Sequence, residues 1–301
     1  MIFARNAIVF TIDGLTTQSL QDVIASRPFH PCEPFAASSE GFVAPAFRHP
    51  EILVWNTTEF AAIALRIDSK ILPASVVQAE TNRRIDELKE HGEKVFKKFL
   101  KEEVTDDLLR TAFIRTTLIR AWIDFVRGLL VVDTSSPGKA EKIAQLIFNA
   151  NYGKCRITPW RVKSPPSGIF TRWVNGYREC SSMSIDDHAV LENRDTGAQV
   201  RINHNQIASD DVSGFIKKGM ECIELTMTLG DRISFTINDK LTIKRLKLLG
   251  IKDEAPSEQD DLFEDHKDNA IVEMNASSIR WLFDALNEEL GGQQLPEPLK
   301  S

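Results

Sequence analysis

PASVVQAETNRRIDELKEHGEKVFKKFLKEEVTDDLLRTAF, residues 73–113, is long, rich in helix formers and holds a single glycine, Gly92, behind its opening proline. Apolar residues at Val76, Val77, Ile85, Leu88, Val95, Phe96, Phe99 and Leu100 follow a helical rhythm, with Gly92 as the place for a break. A second helix is expected from near Thr105, where T-D-D offers an N-cap with acids in its first turn. Before and after this stretch the pattern changes to that of strands. A helical run placed between two sheet-forming stretches is expected to project as an arm.

The flanks are read as follows. NAIVFTID (6–13) is a strand and TTQSLQDVIAS (16–26) a short amphipathic helix; EGFVAPAF, EILVW and AAIALRID supply three further strand-like stretches before Lys70. Beyond the arm, FIRTTLIRAWIDF (113–125) and LLVVDT (129–134) form a hairpin about Arg127-Gly128, and SPGKAEKIAQLIFNA (136–150) is a helix opened by Pro137. After KSPPSG (163–168) come AQVRINH, CIELTMTL, RISFTIND and LTIKRLKLLG as strands, with helices at about 209–219 and 276–290. The fold class expected is α+β: mostly antiparallel sheets with a projecting helical tip.

The 301 residues are 42% hydrophobic and 27% charged, enough for a buried core in two or three sub-domains. No run of about 18 apolar residues occurs, so no membrane span is expected. MIFARNAIVFTIDG alternates like a strand and ends its apolar run at Asp13, unlike a signal peptide. The four cysteines (Cys32, Cys155, Cys180, Cys222) are widely separated and match no zinc spacing, which fits a reduced, cytoplasmic setting. The net charge of -6 is uneven: residues 252–301 carry 13 acids against 4 bases, leaving +3 for residues 1–251. A basic surface for a polyanion is therefore compatible with an acidic total.

Motifs for catalysis are weak. SSPGKAEK (135–142) lacks the first glycine of a phosphate loop and has Ala140 in place of its hydroxyl residue. IDDH (185–188) and HKD (266–268) set acids beside histidines without further ligands, and are read as acidic loops. Asp68-Ser69-Lys70 carries the D-x-K ending of a common nuclease core, a match short enough to arise by chance. No catalytic residue, metal or cofactor is assigned.

A basic stripe is the better signal. Lys94, Lys97, Lys98 and Lys101 recur at steps of three and four, on one side of a helix. They make either a solvated face, with Glu90–Lys94, Glu93–Lys97 and Lys98–Glu102 as charge pairs, or a surface for phosphates. Lys70 at the hinge and Arg5 in the first strand segment are placed beside the arm's root. Lys244 and Arg245 are adjacent in a strand, so they are expected on opposite faces.

KILPASVV (70–77), opening this arm, resembles the recombination-associated protein RdgC family of bacteria. Matching pieces follow in order: FARN (3–6), PFHPC (28–32), EGFVAP (40–45), Ala112-Phe113 with Arg115, WID (122–124), GLLVVD (128–133), Lys139-Ala140-Glu141, WV (173–174), IKRLK (243–247) and ELGG (289–292). The resemblance covers essentially the whole chain. It implies a horseshoe-shaped subunit forming a ring-shaped homodimer that encircles double-stranded DNA without sequence preference, restrains RecA-dependent recombination and is nucleoid-associated. It further implies a central sheet domain (1–73 plus 114–175), a helical tip (74–113) and a base domain (176–301).

By the same resemblance Lys70, Lys94, Lys97, Lys98, Lys101 and Arg115, with Arg5 a weaker addition, are the DNA-facing set. Phe113 is the aromatic of the dimer contact, against the alternative of an ordinary core phenylalanine. Asn203, His204 and Met220 depart from the family's basic positions, which puts DNA contact from the base in doubt. Two rival readings remain: a protein-interaction module docking an acidic partner such as the recombinase, and a nuclease using Asp68 and Lys70.

Overall fold

The computed structural model describes residues 4–46, 49–92, 94–176, 182–203, 210–250 and 264–294. Its first part runs β1 (Ile8–Asp13), α1 (Thr17–Ala25), β2 (Ser38–Val43), β3 (Trp55–Asn56) and β4 (Phe60–Lys70). The arm is α2 (Ala74–Glu90) and α3 (Lys97–Thr111). There follow β5 (Ile114–Asp124), β6 (Leu129–Val132), α4 (Pro137–Ala150), β7 (Arg156–Pro159) and α5 (Pro166–Val174). The last part is β8 (Met183–Asn193), β9 (Gln199–Asn203), α6 (Asp210–Lys217), β10 (Met220–Leu229), β11 (Ile233–Asn238), β12 (Ile243–Leu248) and α7 (Glu264–Glu289).

Two antiparallel sheets result, one in the order β2-β4-β5-β6-β1-β7 with β3 also on β4, the other β12-β11-β10-β8-β9. The α+β expectation with antiparallel sheets holds. The first sheet is covered on both faces, which explains why β4 reads as a nearly continuous apolar run. Ala61, Ile63, Leu65, Ile119, Ala121 and Ile123 pack on α1 and α4, through Leu20, Ile24, Ile143 and Ile147 among others. Their strand neighbours Phe60, Ala62 and Trp122 point the other way, into a core shared with α5, α7 and the second sheet. Met220, one of the departures noted above, is buried in that shared core.

β4 and β5 pair along their whole length, from Phe60↔Asp124 to Lys70↔Ile114. Eleven residues at about 3.3 Å each make a ladder of roughly 36 Å. α2 and α3 continue from its far end and hold together on Val77, Leu100 and Val104, flanked by Leu72, Ile85, Leu88, Val95 and Leu108. This small core corrects two expectations about the arm. The helix breaks where Gly92 takes φ +76°, after the His91 N–H has closed on Glu87 O, and α3 begins at Lys97 rather than near Thr105. Packing of Leu100 and Val104 on α2 outweighs the capping preference of T-D-D, and the Thr105 hydroxyl bonds back to Lys101 O at 2.7 Å. Lys94 consequently lies in the α2–α3 connection, off the helix that was to carry it.

The second sheet holds further corrections. IDDH belongs to β8 rather than a loop; its alternation is hidden by register shifts against β10 and by a largely polar outer face. α5 and β7 had no counterpart in the sequence reading, and α7 starts twelve residues before the helix expected at 276. Lys244 and Arg245 do not diverge. Arg245 takes φ +53° at a register shift between β11 and β12, and both side chains reach Glu224, at 2.9 and 3.5 Å. Burial pushes the Glu224 carboxyl up, but Lys244 and His188 more than offset this and leave it lowered. Cys180, His204 and the acidic segment 253–263 lie outside the described residues.

Candidate nucleic-acid interface

The arm treats its cations in two ways. On α2, Arg83 grips Glu80 with Nε at 2.8 Å and Nη2 at 2.6 Å and also bonds Glu87. Arg84 bonds Glu80 at 3.0 Å and crosses to α3, where it meets Asp107 at 2.9 Å. Hydrogen bonds from Arg83 and Arg84 hold the Glu80 carboxyl down at about 2. These arginines are neutralised within the arm. On α3 and the connection before it, Lys94, Lys97, Lys98 and Lys101 are all exposed and make no ion pair among the described residues. The expected pairs Glu90–Lys94 and Lys98–Glu102 do not form, and Glu93 lies outside the described residues. Four amines are thus left for an outside anion.

The remaining predicted cations do not join them. α2 has 17 residues, so the lysines sit about 25 Å beyond Lys70. Lys70 donates to Glu33 O at 2.7 Å and to Pro34 O, tying down the loop whose Phe35 ring lies 4.5 Å beneath Arg110. The register Lys70↔Ile114 and Ser69↔Arg115 puts Lys70 and Arg115 on opposite faces of the ladder. Arg115 is exposed, as is Arg5, whose backbone N–H bonds Asp133 and whose carbonyl accepts from Leu246 N–H.

Arg120 belongs to β5 and not to the arm helices. It lies opposite Ala64, and so on the Lys70 face of β4 and β5. Burial lowers its pKa while nearby Asp133 raises it, and its Nε has no hydrogen-bond partner. Asp133 is itself pushed up by burial, against the pull of the Asn6 and Arg5 N–H groups. Parity within FIRTTLIRAWIDF was the available signal: Arg120 shares the face of Leu118 and Trp122, where a cation is out of place unless it serves something.

Asp68 is only 3% exposed and fully engaged. Arg66 clasps it with Nε at 2.9 Å and Nη2 at 2.7 Å, and the Thr116 hydroxyl donates at 2.8 Å. The Arg66 hydrogen bonds outweigh burial and hold its carboxyl below the usual range. Lys70 shares its face, but its amine is spent on the two carbonyls, so the D-x-K geometry offers no open pair for metal or water. A depressed folded pKa stabilises above the unfolded value and loses that effect as pH falls through the folded one. Asp68→Asn is therefore expected to cost about 1–3 kcal/mol at pH 7, a gap that narrows below about pH 4, as urea titrations across pH will show.

Phe113 is 84% exposed, which overturns the alternative of a core residue. Ile71, whose N–H bonds Phe113 O at 2.7 Å, and the adjacent Ile114 are exposed as well. An apolar cluster at the arm's root is a surface that asks for a partner.

Among the described residues no helix is long and apolar enough to cross a membrane, and no group of three or more potential ligands could hold a metal. Burial pushes the Cys222 thiol up to about 12, which keeps it protonated at neutral pH. A family model described as "Putative exonuclease, RdgC" matches residues 1–293. The chain is 29% identical over 308 aligned positions to the recombination-associated protein RdgC of Pseudomonas aeruginosa (strain LESB58), covering 97% of this chain and 98% of that protein. It is 33% identical to the protein of that name from Janthinobacterium sp. (strain Marseille), covering 93% and 94%, and 30% identical to that of Herminiimonas arsenicoxydans, also covering 93% and 94%. With a family model matching residues 1–293 and relatives aligned over 93–97% of its length, the chain belongs to the RdgC family.

Proposed function

We propose that this protein acts in homologous recombination by binding double-stranded DNA without regard to sequence, as a ring of two subunits that obstructs RecA. One observation carries the reading: four exposed arm lysines have no ion pair among the described residues, while Arg83 and Arg84 are consumed by carboxylates. Unpaired amines on a helix suit phosphates, which ask for positive charge and no base-edge geometry. The relatives' common name, recombination-associated protein, supports DNA as the anion. A closed ring on one two-fold axis needs two self-complementary patches per subunit. The exposed cluster about Phe113 supplies a candidate for the first. The role is non-catalytic in this reading, because Asp68 and Lys70 are already committed to other groups.

The test compares retention of the whole protein on linear and covalently closed circular DNA of the same sequence through a high-salt wash. Enclosure predicts retention on the circle and loss from the linear form, since counterion-dependent contacts weaken by about 0.9 log units per log unit of salt for each phosphate. Equal loss from both would refute the ring, and no binding to either at low salt would refute the DNA reading.

A further inference from the structure

The distal end of the arm carries an unexplained pair of rings. Phe96, the N-cap residue of α3, and Phe99 are 68% and 69% exposed. Their centroids are 6.5 Å apart and their planes stand at 77°. The helix turns Leu100 and Val104 into the α2–α3 core, and neither ring belongs to that cluster. Nor do they belong with Phe113: α3 has 15 residues, which separates the two patches by about 22 Å.

Two solvent-exposed phenylalanines forgo the gain that burial would bring, so a bound partner is the natural place to recover it. The composition around them limits what that partner is. Lys94, Lys97, Lys98 and Lys101 interleave with the rings and have no ion pair among the described residues. The partner must bring negative charge and flat apolar faces at the same spot. A perfect duplex offers phosphates but keeps its bases stacked inside. A second copy of this patch would bring four further lysines against these four. A lipid surface would want a broad apolar helix face, and past Leu100 the outward residues of α3 are Lys101, Glu102 and Glu103. Unpaired nucleotides meet both requirements, phosphate for the amines and base for the rings.

We propose that Phe96 and Phe99 are a stacking site for unpaired bases, so that the arm recognises single-stranded or locally opened DNA as well as duplex. The edge-to-face arrangement suits this, because two rings at a steep angle can each receive a different, splayed base. The inference rests on the reading of the arm as DNA-binding given above.

The test measures binding of the full chain by fluorescence anisotropy to three probes: a paired duplex, the same duplex with an internal mismatched bubble, and a single strand. The double variant Phe96→Ala/Phe99→Ala is expected to lose at least tenfold on the bubble and the strand and less than twofold on the duplex. Phe96→Trp/Phe99→Trp is expected to restore both. The stacking site is overturned if the alanine variant binds the bubble as the parent does, or loses equally on all three probes. It is likewise overturned if the variant's main defect is in self-association by sedimentation, or in binding to anionic phosphatidylserine vesicles. A parent that grips duplex while the variant is unchanged sinks only this site; a parent that binds none of the probes sinks the DNA reading with it.

Discussion

Arg280→Ala lowers the free energy of unfolding by about 3–5 kcal/mol, because it strands a buried carboxylate where α7 packs on the first sheet. Asp124 ends β5 and is 4% exposed. It receives Arg280 Nε at 2.5 Å and Nη2 at 2.7 Å, and the N–H groups of Val126 and Arg127 at 2.9 Å each. The same guanidinium bonds Glu59 at 2.5 Å and lies 4.3 Å over the Phe60 ring. These contacts fasten α7 to the closed end of the β4–β5 ladder, opposite the arm. The two turn N–H groups would still serve Asp124 in the variant, which places the loss toward the lower end of the range. Asp124→Asn/Arg280→Met removes both charges and is expected to be milder than Arg280→Ala alone. Urea unfolding of the three proteins measures this, and a loss under 1 kcal/mol for Arg280→Ala would mean that the pair does not fasten α7 to the ladder.

What could be read from the chain depended on whether one local period governed each segment. FAAIAL and IRAWID were legible because alternate residues serve two different cores, so the strand pattern survives as an apolar run followed by a mixed one. The arm was legible as helical but not in its joints. Helix formers fill 73–113 almost evenly, and the start of α3 is set by Leu100 and Val104 finding Val77, a tertiary matter. β8 was hidden because its register shifts twice and its outer face carries Asp186, His188 and Glu192. Lys244 and Arg245 defeated the period-two rule through one residue with φ +53°.

Of the candidate site, the lysine stripe was legible and its freedom from partners was not, since the same spacing suits intrahelical pairs. Lys70 and Arg115 fell on opposite faces because the ladder pairs Ser69, not Lys70, with Arg115. Arg120 could have been noticed from its parity, but its unpartnered Nε is visible only once burial and nearby Asp133 are known. Of the four exposed lysines without an ion pair among the described residues, Lys97, Lys98 and Lys101 stand on α3 itself.

Lys97→Ala/Lys98→Ala/Lys101→Ala is accordingly expected to lose about a hundredfold in affinity for duplex DNA at 0.15 M salt. Each phosphate neutralised adds about 0.9 to the slope of log affinity against log salt, which at that salt is worth about fivefold per amine. The slope should fall by nearly three, and by the same amount on two unrelated sequences, because phosphate contacts carry no base information. Arg83→Ala supplies the contrast. It removes one positive charge from the same arm, but from a guanidinium already bonded to Glu80 and Glu87. If free amines do the holding, its effect on affinity stays below about threefold, with the slope barely changed. All three lysines are exposed and outside the α2–α3 core, so circular dichroism of the triple variant should match the parent. Should the triple variant and Arg83→Ala weaken binding alike per charge removed, the arm acts only through its total charge, and the unpaired lysines are not a site.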